Sequence, residues 1–227
     1  MTSWHGSAPV GDETMQSGAA GPRTLSHAER ALVRLAAIVA TCDEGAVRAA
    51  LAHARAEAVP TLWVEEVLLQ SYMFAGFPRA LNAMREWRRS SGLTAPLADA
   101  DLDADDHLAR GAATCAHVYG RFYPKLRQNV AALHPALDRW MVETGYGQVL
   151  GRPGLDLGRR ELCIVAVCAA AGQDRQLQSH LHGALHVGVA PETVDDTLAA
   201  VADLSPDRGD RARRLWAHVR DSAQATA

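Results

Sequence analysis

Lysine is almost absent from this sequence of 227 residues, and aromatic residues make up only 5% of it. Lys125 is the only lysine among 23 basic residues, so arginine carries nearly all of the positive charge. The formal net charge of −3 gives no overall attraction to nucleic acid or to an anionic membrane, and we expect neither partner. For the chain as a whole, we attribute the excess of arginine to a GC-rich genome. The alternative is that arginines bind small carboxylates, because the planar fork of arginine matches a carboxylate bidentately.

The four cysteines form no CxxC pair. Cys163 and Cys168 lie five residues apart in an apolar run, which favours buried structural thiols over a disulfide scaffold or a zinc site. This cysteine usage suits the reducing cytoplasm, where we expect the protein to be located. Residues 1–24 lack the basic start and apolar core of a signal peptide and are predicted to be a disordered tail. No stretch is long and apolar enough to suggest a membrane span.

Alanine and leucine dominate the chain, and runs of β-branched or aromatic residues are rare, which favours helices over strands. Two helical regions, 25–93 and 107–227, are separated by an acidic stretch rich in alanine and aspartate at 94–106, which we interpret as a linker. The sequence therefore predicts an all-α protein.

A shift of 130 residues aligns the two helical regions. LAHARAEAVPTLWVEEVLL (51–69) then lies over LHGALHVGVAPETVDDTLA (181–199), with leucines, valines and a pair of acids at matching positions. The apolar segment 159–172 falls over 29–42 in the same frame. This correspondence indicates two tandem, degenerate repeats.

The predicted helix 174–187 carries two histidines on one face. His182 and His186 are four residues apart, the spacing of a helical metal pair. Glu161 or His134 would have to complete such a site, but no spacing rule selects either. The alternative is a pair of solvated histidines near the end of the helix, where the helix dipole favours a cation. We predict no metal here.

His180 faces away from that pair and is a candidate for general acid or base catalysis. An imidazole in this role needs an orienting partner, and Glu161 is available if segments 159–172 and 174–187 form a hairpin. The alternative is a packed histidine whose ring nitrogens are satisfied by the backbone.

The segment 146–196 resembles the carboxymuconolactone decarboxylase family, whose members share the alkylhydroperoxidase D-like helical fold. The resemblance rests on RPGLD at 152–156, then an apolar helix, then H-x3-A-L-x2-G at 180–188. FAGFPRALNA (74–83) is similar to a YxGxP segment of the same family. The resemblance implies an all-α, alkylhydroperoxidase D-like fold of two tandem repeats. It also implies a homo-oligomer, a trimer or a dimer, because single-repeat members assemble into rings.

Peroxidase members of that family carry the pattern E-x11-C-x2-C-x3-H. Glu161 and His180 match its ends, whereas Gln173 and Gln176 stand at the two cysteine positions. A dithiol peroxidase needs a thiolate nucleophile and a resolving thiol, and glutamine supplies neither. We therefore expect no thiol peroxidase activity.

Decarboxylase members lack those cysteines and keep the histidine, which implies a lyase. It would remove CO₂ from a small anionic lactone or unsaturated acid and reprotonate the carbon, with His180 as proton donor, Glu161 as its partner and no cofactor. The residues predicted to bind such a carboxylate or lactone are Arg152, Arg160, Tyr146 and Phe77. For each arginine the alternative is a buried structural ion pair with Asp156 or Glu161.

The first repeat departs from the family pattern. Ala31 and Ala50 stand where the second repeat has Glu161 and His180. We therefore expect at most one site in each chain, formed by His180 with the 74–80 segment as its wall. The alternative is a non-catalytic oligomeric binding or scaffold protein on the same fold, which would explain the lost residues equally well.

Overall fold

The computed structural model describes residues 24–99, 101 and 106–224, and these residues form helices and no strands. The prediction of an all-α protein is confirmed. The first half contains α1 (His27–Thr41), α2 (Glu44–Ala56), α3 (Thr61–Ala75) and α4 (Phe77–Ser91). The middle contains α5 (His107–Tyr119), α6 (Tyr123–Leu133), α7 (Pro135–Trp140) and a π-helix (Met141–Leu150). The last part contains α8 (Leu157–Ala171), α9 (Asp174–His186), α10 (Pro191–Val201) and α11 (Pro206–Gln224).

The centre of the fold is the packing of α1 against α8. Residues 160–170 of α8 are buried without a break, because this helix is apolar on all faces and is covered on all faces. Glu29 of α1 and Arg159 of α8 form an ion pair of 2.8 Å across this contact. Positions 29 and 159 correspond to each other in the 130-residue frame, so this pair lies where the two halves meet.

Local structure repeats at the same interval of 130 residues. Ser26 and Asp156 each cap the helix that follows, accepting a hydrogen bond from the backbone N–H three residues later. Ala58 and Gly188 each take a positive φ after the second helix of their half, 53° and 87°. Glycine adopts this conformation at no steric cost, whereas alanine does so at some cost, so the turn has been kept while its residue changed.

The long-range contacts of the last helix in each half also repeat. Trp87 of α4 donates its indole N–H to Glu65 at 3.2 Å, and Trp216 of α11 donates to Asp195 at 2.7 Å. Glu65 and Asp195 are 130 residues apart and the two tryptophans 129 apart. The repeat predicted from the sequence is therefore also seen in the contacts of corresponding side chains.

Glycines allow two of the middle helices to pack closely against each other. A Cβ built on Gly111 of α5 would lie 1.9 Å from the carbonyl oxygen of Val142, and one on Gly147 would lie 2.0 Å from that of His107. Helix α5 and the π-helix therefore pack backbone against backbone. Helix α5 also packs on α9, so this segment covers one side of the histidine helix.

The predicted linker takes part in the fold. Asp99 and Asp101 pair with Arg152 at 2.9 and 3.3 Å, and Asp101 also pairs with Arg110 at 2.6 Å. The predicted tail lies outside the described residues except for Thr24, as do positions 100 and 102–105 of the linker. None of the described helices is long and apolar enough to cross a membrane.

Candidate functional site

The structure brings His180 and Glu161 together. Nδ1 of His180, on α9, lies 2.8 Å from Oε2 of Glu161, on α8. Both side chains are buried, with His180 6% exposed and Glu161 fully enclosed. The hairpin of α8 and α9, closed by the left-handed Gly172, sets this distance. A carboxylate and an imidazole this deep in the protein are tolerated because each is the other's partner.

The hydrogen bond fixes how the imidazole is oriented. An ionised carboxylate only accepts hydrogen bonds, so Nδ1 carries a proton and donates it to Oε2 of Glu161. Among the described residues, Nε2 of His180 has no hydrogen-bond partner, and neither has Oε1 of Glu161. The arrangement leaves Nε2 as the ring nitrogen that can exchange a proton with a bound molecule.

The pair is walled by α3 and α5. The ring of Phe74 meets the His180 ring edge to face, with centroids 5.8 Å apart. On the other side, a Cβ at Gly183 would lie 2.7 Å from Cγ1 of Val118 and 2.9 Å from Oε2 of Glu161. Glycine is therefore the residue that leaves room for the carboxylate beneath α5.

Two tyrosines lie near this carboxylate. Tyr146 is buried and donates its O–H to the hydroxyl of Tyr119 at 3.0 Å. Burial, with further contributions from Tyr119 and Glu161, raises the pKa of Tyr146 well above its ordinary value. Burial likewise raises the pKa of Tyr119, so both phenols remain protonated at neutral pH. Tyr146, which was predicted to contact substrate, donates its hydroxyl hydrogen bond to Tyr119.

The predicted anion-binding arginines lie in a separate network. Arg160 is fully buried and its guanidinium is 2.7 Å from Oε2 of Glu66, and Arg152 lies 3.1 Å from Oε1 of the same carboxylate. Burial lowers the pKa of Arg160, and the hydrogen bond to Glu66 opposes that shift. Arg160 also donates to the carbonyl oxygen of Leu155 at 3.0 Å. Glu66 thus pairs with both predicted arginines, and Asp99 and Asp101 also pair with Arg152. The contacts of neither arginine include His180.

Phe77 is likewise placed away from the pair. Its side chain is 59% exposed and packs edge to face on Tyr72, with ring centroids 5.6 Å apart. The residue of the 74–80 segment that touches His180 is Phe74, at its first position. Arg79, from the same segment, donates to the carbonyl oxygens of Val39 and Cys42, where it satisfies the end of α1.

The sequence of this chain matches the model of a known protein family. The model of the carboxymuconolactone decarboxylase family matches residues 12–89 and 135–220, which is more than half of the chain. The chain belongs to this family. The two matched segments correspond to the two halves of the fold and support a duplicated domain.

The two glutamines that depart from the peroxidase pattern of this family differ in their surroundings. Gln173 stands at the start of α9 and accepts a hydrogen bond from the thiol of Cys168 at 3.6 Å. Gln176 is exposed. Burial raises the pKa of Cys115, Cys163 and Cys168 to about 12, so these thiols are protonated and poorly nucleophilic.

The structure separates the other two histidines of α9 from the candidate third ligands. His186 uses Nδ1 on the carbonyl oxygen of Val118, 2.9 Å away, and His134 uses Nδ1 to cap α7. Glu161, the other candidate, pairs with His180. Within the described ranges, no group of three or more histidine, cysteine or acidic side chains is placed to hold a metal ion.

Two curated relatives of this chain come from yeasts. The chain is 27% identical over 172 residues to "Peroxisomal protein 2" of Schizosaccharomyces pombe, covering 73% of this chain and 78% of that protein. It is 23% identical over 159 residues to "Peroxisomal protein 2" of Saccharomyces cerevisiae, covering 57% of this chain and 56% of that protein. The chain thus spans just over half the length of the second relative.

Proposed function

We propose that the protein is a small-molecule enzyme that transfers a proton to an anionic lactone or unsaturated acid in a decarboxylation. The observation that carries this proposal is the buried hydrogen bond between His180 and Glu161, which leaves Nε2 without a protein partner among the described residues. Membership of the carboxymuconolactone decarboxylase family supports the reaction class. Fold alone does not fix the chemistry, so the proposal depends on the site.

The proposed step assigns each proton and electron pair. The bond between the substrate's carboxylate carbon and its neighbour breaks, CO₂ leaves, and the electron pair is delocalised into the unsaturated carbonyl system. Protonated His180 gives its Nε2 proton to the carbon. Glu161 accepts the hydrogen bond from Nδ1–H throughout and stabilises the imidazolium, which forms again when Nε2 takes up a proton from solvent. Arg152 and Arg160 would have to leave Glu66 to bind the substrate, so the proposal does not depend on them.

A thermal-shift screen of small carboxylates, lactones and unsaturated acids tests the proposal. A ligand that binds only the folded chain, at about one hundred times its Kd, raises Tm by roughly 5–10 °C. We expect such a shift for the wild type, its loss in His180→Gln, and its retention in His53→Gln, which removes an exposed histidine from α2. Release of CO₂ from the stabilising compound then checks turnover. A broad panel without any shift, together with a His180→Gln protein that melts well below the wild type, would refute the enzyme.

The burial of His180 favours a second candidate function. With 6% of its surface exposed, the residue also suits a packed pair in a non-catalytic binding or scaffold protein of the same family. In that case His180→Gln lowers stability without changing any ligand response. The thermal-shift screen separates the two candidates, since only the enzyme predicts a ligand whose effect disappears with the histidine.

We also propose that the chain forms a homo-oligomer, a dimer or a trimer, through α3 and α4. Large apolar side chains of these helices are exposed: Leu62, Leu69, Tyr72, Phe77 and Leu81. Apolar residues gathered on one face are typical of interfaces. Light scattering after gel filtration should give a multiple of the 24.3 kDa chain, and Phe77→Asp should reduce that mass. A monomeric wild type would contradict this assignment.

The location of the protein stays a prediction. Both yeast relatives are named as peroxisomal proteins, whereas the cysteine usage of this chain favours the cytoplasm. Fluorescence microscopy of the tagged full chain decides between them.

A further inference from the structure

A groove lies on the side of α9 that faces away from Glu161. It is formed by α5, α6, α9 and the short turn at Gly120–Phe122, and its volume is about 310 Å³. This is the lower end of the size range of small-molecule pockets. Its lining residues are Tyr119, Phe122, Lys125, Leu126, Asn129, Ser179, His182 and His186.

The charges that line the groove are of one sign. Lys125, the only lysine of the chain, stands with His182 and His186, and no aspartate or glutamate is among the lining residues. Lys125 has no ion-pair partner within the part of the chain that the structure describes. Most other cations of this protein are paired with acids, as Arg127 on the same helix is with Asp138. This unpaired lysine provides the positive charge that an anion requires.

The hydrogen bond of His186 determines which of its nitrogens is available. Nδ1 donates to the carbonyl oxygen of Val118 at 2.9 Å, because a carbonyl can only accept. Nε2 is then the atom left for a ligand, and it becomes a donor when the ring is protonated. For His182, burial and then the neighbouring His186 and His218 lower the pKa, and a bound anion would act in the opposite direction.

Apart from Asn129 and Ser179, the remaining wall of the groove is apolar or aromatic. Phe122 is 50% exposed, and its ring lies nearly parallel to that of His186, with centroids 6.4 Å apart. Tyr119 and Leu126 continue this surface. A ligand that is charged all over would leave this half of the groove without a partner, whereas a flat ring stacks on it.

We infer that this groove binds a small aromatic carboxylate, with its ring against Phe122 and its carboxylate toward Lys125 and His182. The site is separate from the Glu161–His180 pair. Ser179, His182 and His186 lie on one stripe of α9, and His180 points from another side of the same helix toward α8. The inference therefore does not require the proposed enzyme activity.

Calorimetric titration of the full chain with benzoate tests this inference. We expect binding to the wild type, and binding at least about tenfold weaker in Lys125→Gln and in His182→Gln, since each loses a charge-assisted hydrogen bond. Arg214→Gln is the matched control, because it removes an exposed cation of α11 outside the groove and should bind benzoate like the wild type. In NMR titrations, benzoate should raise the pKa of His182.

Two further probes define the class of ligand. Benzamide has the same ring without the charge, and inorganic phosphate has the charge without the ring. We expect both to bind at least about tenfold more weakly than benzoate. Phosphate that binds as tightly as benzoate would overturn the aromatic part of the assignment.

Other outcomes overturn the site itself. The inference fails if millimolar benzoate does not bind the wild type. It also fails if Lys125→Gln and His182→Gln bind benzoate normally. Binding that is lost in His180→Gln but kept in Lys125→Gln would place benzoate at the Glu161–His180 pair. A groove that closes between two copies of the chain would give no benzoate binding and a change of mass in Lys125→Gln.

Discussion

The two halves of this molecule share local helix structure but differ in the residues that they bury at matching positions. Their helix caps, their turns after the second helix and their tryptophan contacts recur at matching positions. At the centre of α8 and α9, however, the second half buries a hydrogen-bonded carboxylate and imidazole, where the first half has Ala31 and Ala50. Backbone geometry alone therefore did not preserve the site.

Among the residues that the structure describes, the second helix of each half is also packed differently. Helix α5 packs on α9 and closes the side on which Gly183 makes room for Glu161. Within the described residues, no helix precedes α1 to cover α2 in the same way, and the position that matches Gly183 is His53, whose side chain is about half exposed. Ala31 and Ala50 are themselves buried, so alanine fills the matching positions of the first half without needing a polar partner.

The largest predicted difference between the halves concerns two salt bridges at corresponding positions, each of which joins one half to the other. Arg160 pairs with Glu66 where both are buried, and the matching Arg30 pairs with Asp196 at 3.7 Å with side chains 42% and 28% exposed. Arg160→Met should lower the free energy of unfolding by about 3 kcal/mol, because it leaves a buried carboxylate short of a partner. Arg30→Met should cost under about 1 kcal/mol. Urea unfolding of both variants measures this, and equal losses would contradict the contrast.

The next contrast compares Gly183 with His53. Gly183→Ala places a methyl group against Val118 and Glu161, and we expect a loss of roughly 1–3 kcal/mol from overpacking. His53→Ala alters an exposed site and should change stability by less than about 0.5 kcal/mol. Thermal unfolding of the two variants is the measurement. A Gly183→Ala protein as stable as the wild type would show that α5 shifts to accommodate the added methyl group, contrary to the packing seen here.

A third contrast concerns the thiols. Cys115, Cys163 and Cys168 are buried with pKa values raised to about 12, while Cys42 at the end of α1 is partly exposed. Ellman's reagent should therefore modify one thiol rapidly in the native protein and all four in denaturant. Cys42→Ser should remove the rapid reaction. Rapid modification of a second thiol would show that α5 or α8 opens readily.

The smallest effect belongs to His182, whose counterpart in the first half is Ala52. Its pKa is lowered in the folded protein, so as pH falls through the unfolded value near 6.5 the unfolded chain takes up the proton first. This group therefore costs stability in mildly acidic solution and nothing above about pH 7.5. His182→Asn should lose less stability than the wild type between pH 7.5 and pH 5, by under about 1 kcal/mol. Parallel pH profiles for the two proteins would disprove the shift.

Features set by the local sequence pattern or by the internal repeat were predictable from the sequence. The helices, the 130-residue frame and the pairing of Glu161 with His180 follow from periodicity, cap residues and the hairpin of two adjacent helices. The partner of Arg160 was not predictable, because Glu66 lies 94 residues away and nothing in its surroundings marks it. Phe74 was missed for the same reason, since only the approach of α3 to α9 shows which aromatic residue of its segment meets His180.

The contact of Glu29 with Arg159 bears on the order of events in the history of this chain. In a dimer of identical subunits, residues on the symmetry axis meet their own copies, so two carboxylates or two guanidinium groups would have faced each other there. Opposite charges at one such position require that the two copies have become free to differ. If the ancestor was a symmetric dimer, this attraction was acquired only after duplication had allowed the two copies to differ, and two identical copies of either half would restore a repulsion at the centre.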